Sequence, residues 1–251
     1  MFEKATTGHR ARGASGQRLR PGMVESRATR AEHKHLTVLF ADISGSTALS
    51  RSIELDTWWS VLADVIELMG EAVHRFGGWV GNFTGDGVQG VFETPGGREH
   101  ARRACNAALC VRESLQTHAT QCEHARRFDV DVHMGINSGE VLTGTIGQRH
   151  SRHYTACGYT VALAKRMETL AKPGGIDVSE HTAALLGDEL ELCDLGFFDV
   201  KGASCPVGVF ELVGPTTTSD QKMHASGLTR KLQRQPLVAT ARTLEAAPGL
   251  R

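Results

Sequence analysis

Two aspartates carry the first chemical signal in this chain. Asp42 ends the apolar run 36–41 and precedes Ser44-Gly45-Ser46-Thr47; Asp86 stands 44 residues later, inside Thr84-Gly85-Asp86-Gly87. Carboxylates are hard oxygen donors of the kind that Mg2+ and Mn2+ prefer, and such ions commonly bridge a protein to substrate phosphates. The backbone N–H groups of Ile43, Ser44, Gly45, Ser46 and Thr47 fall at an expected helix start, where amides and the helix dipole favour a phosphate chain. Two cations beside such amides point to phosphoryl-type chemistry with in-line displacement. Taken singly, each motif reads as an ordinary turn or cap. The Gly-x-Gly at 85–87 and the Gly-x-x-Gly at 144–147 sit in no strand–GxGxxG–helix unit, which excludes a dinucleotide fingerprint.

The elements that must position these residues follow from periodicity. Residues 36–41 read as a strand buried on both faces. Apolar residues recur at helical spacing over 57–76, and Gly77-Gly78 stops that helix. Residues 79–83 and 88–92 form a hairpin with Asp86 at its tip. A helix follows over 98–118. Strict alternation over 128–136 gives a half-buried strand, with 140–146 as its expected partner. A helix over 158–171, a short strand at 176–178, a short helix near 182–186 and strands at 192–200 and 207–213 complete the domain. The order β-α-β-β-α-β with appended elements fits a ferredoxin-like α+β sheet covered on one face by helices. On this reading residues 35–213 are the folded domain, 1–34 a disordered basic arm and 214–251 a flexible tail.

Composition agrees with one globular domain. Of 251 residues, 40% are hydrophobic and 22% charged, and 28 Lys/Arg balance 28 Asp/Glu. Zero net charge argues against a polyanion-binding protein, and no helix-turn-helix pattern is present, so direct nucleic-acid binding is not expected. No run reaches the ~20 apolar residues that span a bilayer, and no secretory segment is evident, so a cytoplasmic protein without a membrane is expected. The six cysteines form no CxxC pair and read as reduced. The twelve histidines lack ligand spacing, and His150 and His153 read as loop residues.

Four ordered blocks then carry a resemblance: 36–47, Asn82-Phe83-Thr84-Gly85-Asp86-Gly87, 133–141, and 154–158 running on to Arg166. Together they resemble class III adenylyl/guanylyl cyclase catalytic domains, in consistent order across residues 35–213. The resemblance implies the cyclase architecture, Mg2+ or Mn2+ as two ions per site on Asp42, Ile43 and Asp86, and a head-to-tail homodimer with composite sites. It further implies that Arg166 stabilises charge developing at the α-phosphate and that Lys201 contacts the terminal phosphates, with Asn82 and Thr155 reading the base and Ser44–Thr47 lining the triphosphate.

Two positions depart from the family pattern. Asn82 stands where a base-reading lysine is expected, and Ala162 where a transition-state asparagine is expected. Asn82 keeps both a donor and an acceptor. Ala162 offers no side-chain donor, and one missing donor of this kind costs about 10²–10³ in rate. The resulting expectation is a low-activity lyase producing a 3′,5′-cyclic monophosphate and pyrophosphate, from ATP in preference to GTP. The alternative is a degenerate cyclase-like module that binds nucleotide, dimerises and regulates signalling or transcription through a separate partner chain.

Overall fold

The computed structural model describes residues 31–121, 130–148 and 151–216; the expected arm through residue 30 and the tail from 217 lie outside them. β1 (Glu32–Ile43) is followed by α1 (Ser46–Ser52), α2 (Leu55–Arg75), β2 (Trp79–Phe83), β3 (Gly87–Phe92) and α3 (Glu99–Gln121). Then come β4 (Val132–Gln148), β5 (Ser151–Cys157), α4 (Tyr159–Leu170), β6 (Ile176–Ser179), α5 (Glu180–Leu186), β7 (Leu190–Phe198) and β8 (Val207–Pro215). β1 takes in residues 32–34, which the sequence assigns to the arm. No described helix is long and apolar enough to cross a membrane.

The strands form one sheet in the order β2-β3-β1-β4-β6-β8-β7, with β5 paired to β4. Its first four strands have the ferredoxin-like arrangement, antiparallel throughout, and β6 joins β4 in parallel. β1 alternates. Leu39, Ala41 and Ile43 enter the larger core with Val65, Met69, Val73, Ala104, Ala108 and Val111 of α2 and α3. Leu36, Val38 and Phe40 face the other way, into a second cluster with Val141, Ala156 and Ala164. The sequence predicts helices on one face only. The structure corrects this: α4 covers the opposite face, because β1 is apolar on both sides and each side must be buried.

A second correction concerns β4. The sequence breaks the strand at Asn137-Ser138-Gly139 and makes 140–146 a partner of 128–136. These residues instead belong to one 17-residue strand, whose hairpin partner is β5. The three polar and small residues pair with Val38, Thr37 and Leu36 in mid-sheet. They are tolerated there because each buried polar atom is matched. Ser138 Oγ lies 2.7 Å from Thr37 Oγ1 and 3.0 Å from Thr182 Oγ1, while Asn137 Nδ2 donates to Thr160 O at 2.9 Å. His153, expected in a loop, lies in β5, and Phe128 falls outside the described residues.

One buried acid gives a pH-dependent stability. Asp177 on β6 is 4% exposed and lies opposite Glu211 of β8. Burial, then the Glu211 charge, pushes its carboxyl up to about 6, against a smaller opposing effect of Lys172. The folded state therefore holds this proton more tightly than the unfolded chain. The stability that Asp177 contributes is full below about pH 4, falls as pH rises towards 6, and is lost above. Asp177→Asn removes the ionisation. Its unfolding free energy in denaturant should exceed that of the parent by about 1–3 kcal/mol at pH 7.5 and match it at pH 4.

Candidate functional site

The β1–β3 pairing brings the two aspartates together. Asp42 is in register with Gly87, and the Ile43 N–H donates to Asp86 O at 3.3 Å. The Asp86 charge acts on Asp42. Gly87 keeps the approach open: a Cβ there would lie 2.4 Å from Ala41 O, 2.6 Å from Asp42 Oδ1 and 2.7 Å from Thr84 Oγ1. By strand alternation Asp42 points to the α4 face, below Phe40.

Three oxygens at this strand end, Asp42 Oδ1, Ser44 Oγ and Thr84 Oγ1, are buried without a hydrogen-bond partner. Leaving a carboxylate oxygen buried and unmatched is costly, and a hard cation relieves that cost. The donor set therefore fits a divalent metal ion. Burial raises the Asp42 carboxyl above the ordinary range; the Lys165 ammonium opposes this, and Asp86 and Glu168 add to it.

Lys165 on α4 crosses to this site. Its Nζ donates to Asp42 Oδ2 at 2.9 Å and lies 2.7 Å from Glu168 Oε2, the latter an ionic contact rather than a well-aligned hydrogen bond. It also stands 5.5 Å from the centre of the Phe40 ring, within cation–π range. Glu168, with a side chain only 3% exposed, accepts His133 Nε2 at 2.8 Å through its other oxygen. Burial would raise the Glu168 carboxyl, yet His133 and Lys165 together hold it below the usual range. The bond to Glu168 raises His133. Among the described residues, Asp42, His133 and Glu168 each offer one donor atom within 4.8 Å of the others, so they too could hold a metal ion.

α4 reaches this position because β4 presents almost no side chain to it. Gly135, Asn137 and Gly139 line the α4 face of β4. A Cβ on Gly135 would fall 1.8 Å from Glu168 N, and one on Gly139 would fall 2.7 Å from Thr160 Oγ1. Thr160 Oγ1 donates to Glu140 O at 2.7 Å, fixing the first turn of the helix.

The other sequence-singled residues are distributed unevenly. The Ile43 N–H is used by Asp86 O, and the Ser44 N–H by Asp131 O at 2.8 Å. That leaves the Gly45, Ser46 and Thr47 amides at the start of the seven-residue α1. Asn82 is exposed on edge strand β2, opposite Gln89. Arg166 is next to Lys165, about 100° round the helix, and so leaves α4 from a different side. Ala162 is exposed on α4. Thr155 and Lys201 lie elsewhere. Thr155 pairs with Gly144, eleven residues along β4 from the Asp42 partner His133, and its neighbour Tyr154 packs at 5.1 Å on Trp79 of β2, the strand that carries Asn82. Lys201 is exposed in the turn between β7 and β8. That turn lies at the sheet end away from Asp42, since β8 runs antiparallel to β6. One chain does not bring Lys201 to Asp42.

Sequence reasoning missed Lys165, Glu168 and His133. The i, i+3 spacing of Lys165 and Glu168 signals a helix-surface pair. Nothing local tells that this surface meets β1. His133 lay inside a quoted block, but its partner is 35 residues away in sequence.

Comparison with known proteins gives the family and the fold. The family model described as "Adenylate and Guanylate cyclase catalytic domain" matches residues 28–225. Adenylate cyclase 1 of Rhizobium meliloti is 29% identical over 184 residues, covering 72% of this chain and 28% of the relative. The receptor-type guanylate cyclase gcy-23 of Caenorhabditis elegans is 29% identical over 191 residues, covering 74% and 17%. The chain thus spans less than a third of these relatives. Among solved structures, the adenylyl cyclase CyaB from P. aeruginosa superposes with a TM-score of 0.71 at 30% identity, covering 75% of this chain and 98% of that one. The guanylate cyclase domain of RhGC from Catenaria anguillulae in complex with GTP gives 0.66 at 26%, covering 74% and 100%.

Proposed function

Since the chain belongs to the adenylate and guanylate cyclase catalytic domain family, we propose that it converts a purine nucleoside triphosphate to the 3′,5′-cyclic monophosphate and pyrophosphate. The observation that carries this reading is the Asp42/Asp86 pair with its buried, unmatched Asp42 Oδ1. In the reaction the ribose 3′-oxygen bonds to the α-phosphorus and the bond from that phosphorus to the β-bridging oxygen breaks. Pyrophosphate leaves, and the hydroxyl proton passes to solvent. Asp42, Asp86 and the Ile43 carbonyl would hold two Mg2+ or Mn2+ ions, which would supply activation of the hydroxyl and neutralisation of the phosphates.

The remaining work belongs to the chain. Gly45, Ser46 and Thr47 amides, with Ser44, line the triphosphate. Asn82 and Thr155 meet the base edge, and their donor–acceptor character admits both ATP and GTP. Arg166 stabilises charge at the α-phosphate, and Lys201 holds the terminal phosphates. The separation of Asp42 from Thr155 and Lys201 favours a head-to-tail homodimer, in which each site draws its metal end from one chain and its base and phosphate end from the other. A cytoplasmic setting and control by a partner chain belong to the same reading.

A second reading has its own support. Exposed Ala162 provides no donor, and Lys165 occupies Asp42, as suits a nucleotide-binding module of little turnover. One experiment separates the two: purified protein with ATP or GTP and Mn2+ or Mg2+, products identified by mass. Cyclic product that vanishes in Asp42→Ala and rises about 10²-fold in Ala162→Asn is the expected result. Nucleotide binding with no product in parent or Ala162→Asn protein establishes the regulatory module instead.

A further inference from the structure

We propose that Lys165 is a resident counter-ion of the metal site, which a divalent cation must displace from Asp42, so that this one side chain sets the metal concentration at which the site loads. The inference rests on reading Asp42 as a metal ligand.

The geometry supplies both halves of a displacement. Asp42 has one oxygen bonded to Lys165 at 2.9 Å and the other buried without a partner. The metal-facing oxygen is thus available, while the ammonium opposes any second positive charge a few ångströms away. With no substrate phosphate to neutralise the charge, a divalent ion and the ammonium repel each other across this partly buried carboxylate, so loading and the Lys165–Asp42 bond oppose each other. Lys165 also has somewhere to go. Glu168, three residues on along the same helix, already lies 2.7 Å from Nζ and is itself anchored by His133. The Lys165 side chain is 37% exposed, so its four-carbon stem can swing outward while keeping that contact. Glu168 is then the resting place of the displaced ammonium, and His133 holds Glu168 in position to receive it.

Release has a structural cost. The Lys165–Asp42 bond ties α4 to β1 across 123 residues of sequence, and α4 also carries Arg166. Metal loading therefore loosens one tether of the helix that presents the phosphate-stabilising arginine, and metal occupancy and the setting of that helix become linked quantities.

Direct Mn2+ binding tests this without turnover, read by the paramagnetic signal of free Mn2+ and by the metal-induced rise in Tm. Parent, Lys165→Met, Lys165→Arg and Asp42→Asn proteins are compared in the absence of nucleotide. Lys165→Met should bind Mn2+ about 10–100-fold more tightly than the parent, the ordinary range of coupling between two ligands. It should also melt lower than the parent when metal-free and gain more in Tm on Mn2+ addition. Lys165→Arg, which keeps the charge, should bind no more tightly than the parent. Equal or weaker binding by Lys165→Met, with Asp42→Asn still abolishing binding, overturns the counter-ion and leaves the metal site standing. Unchanged binding in Asp42→Asn overturns both.

Discussion

Replacing Gly135 by alanine is expected to cost about 3 kcal/mol or more in unfolding free energy and to remove the site altogether. The added Cβ would stand 1.8 Å from Glu168 N, 2.5 Å from Ala164 O and 2.5 Å from Glu168 Cα. These are backbone atoms of a helix, so no rotamer change relieves the overlap, and α4 must lift from the sheet as a unit. Lifting it breaks the Lys165–Asp42 bond and uncovers Leu163 and Met167, both at most 2% exposed. Gly214, with nothing within 4 Å of its Cβ position, provides the control: its alanine variant should stay within about 1 kcal/mol of the parent. Urea unfolding of the three proteins measures the contrast. Equal midpoints for Gly135→Ala and Gly214→Ala would refute the close-packing account.

The second large effect is a rescue. Asp42→Ala and Lys201→Ala should each abolish product formation alone, yet a mixture should recover about a quarter of parental activity. In a head-to-tail dimer, half of randomly exchanged dimers are mixed, and in each of those both lesions fall in one site. The other site takes Asp42 from one chain and Lys201 from its partner, and is whole. Chromatographic exchange followed by a cyclic-nucleotide assay gives the readout. A mixture as inactive as its components would place both residues in a site built from one chain, against the separation of Lys201 and Asp42 to opposite ends of the sheet.

Much of the fold is readable in the sequence because its signals are local. The β2–β3 hairpin, α2 and α3 follow from alternation, helical period and Gly77-Gly78, each decided within a few residues. Asp42 and Asp86 are legible for the same reason: each sits in a turn motif at the end of an apolar strand. What fails is long-range. Asn137-Ser138-Gly139 carries every mark of a turn, and only its partners elsewhere, Thr37, Thr160, Ser179 and Thr182, make it strand. Likewise Lys165 reads as a solvated helix lysine until α4 is known to lie on β1. A small residue in a strand permits either a bend or a helix pressed flat, and the choice depends on what packs there.

The length of β4 carries one more consequence. A single strand of 17 residues runs from His133 beside Asp42 to Gly144 beside Thr155, so it acts as a ruler between the two halves of the site. One residue inserted or lost midway would turn every later side chain to the wrong face. Two would keep the faces and shift the halves by about 7 Å, enough to spoil the meeting of two chains at both sites together. Substitutions along this strand should therefore be tolerated far more freely than any change in its length.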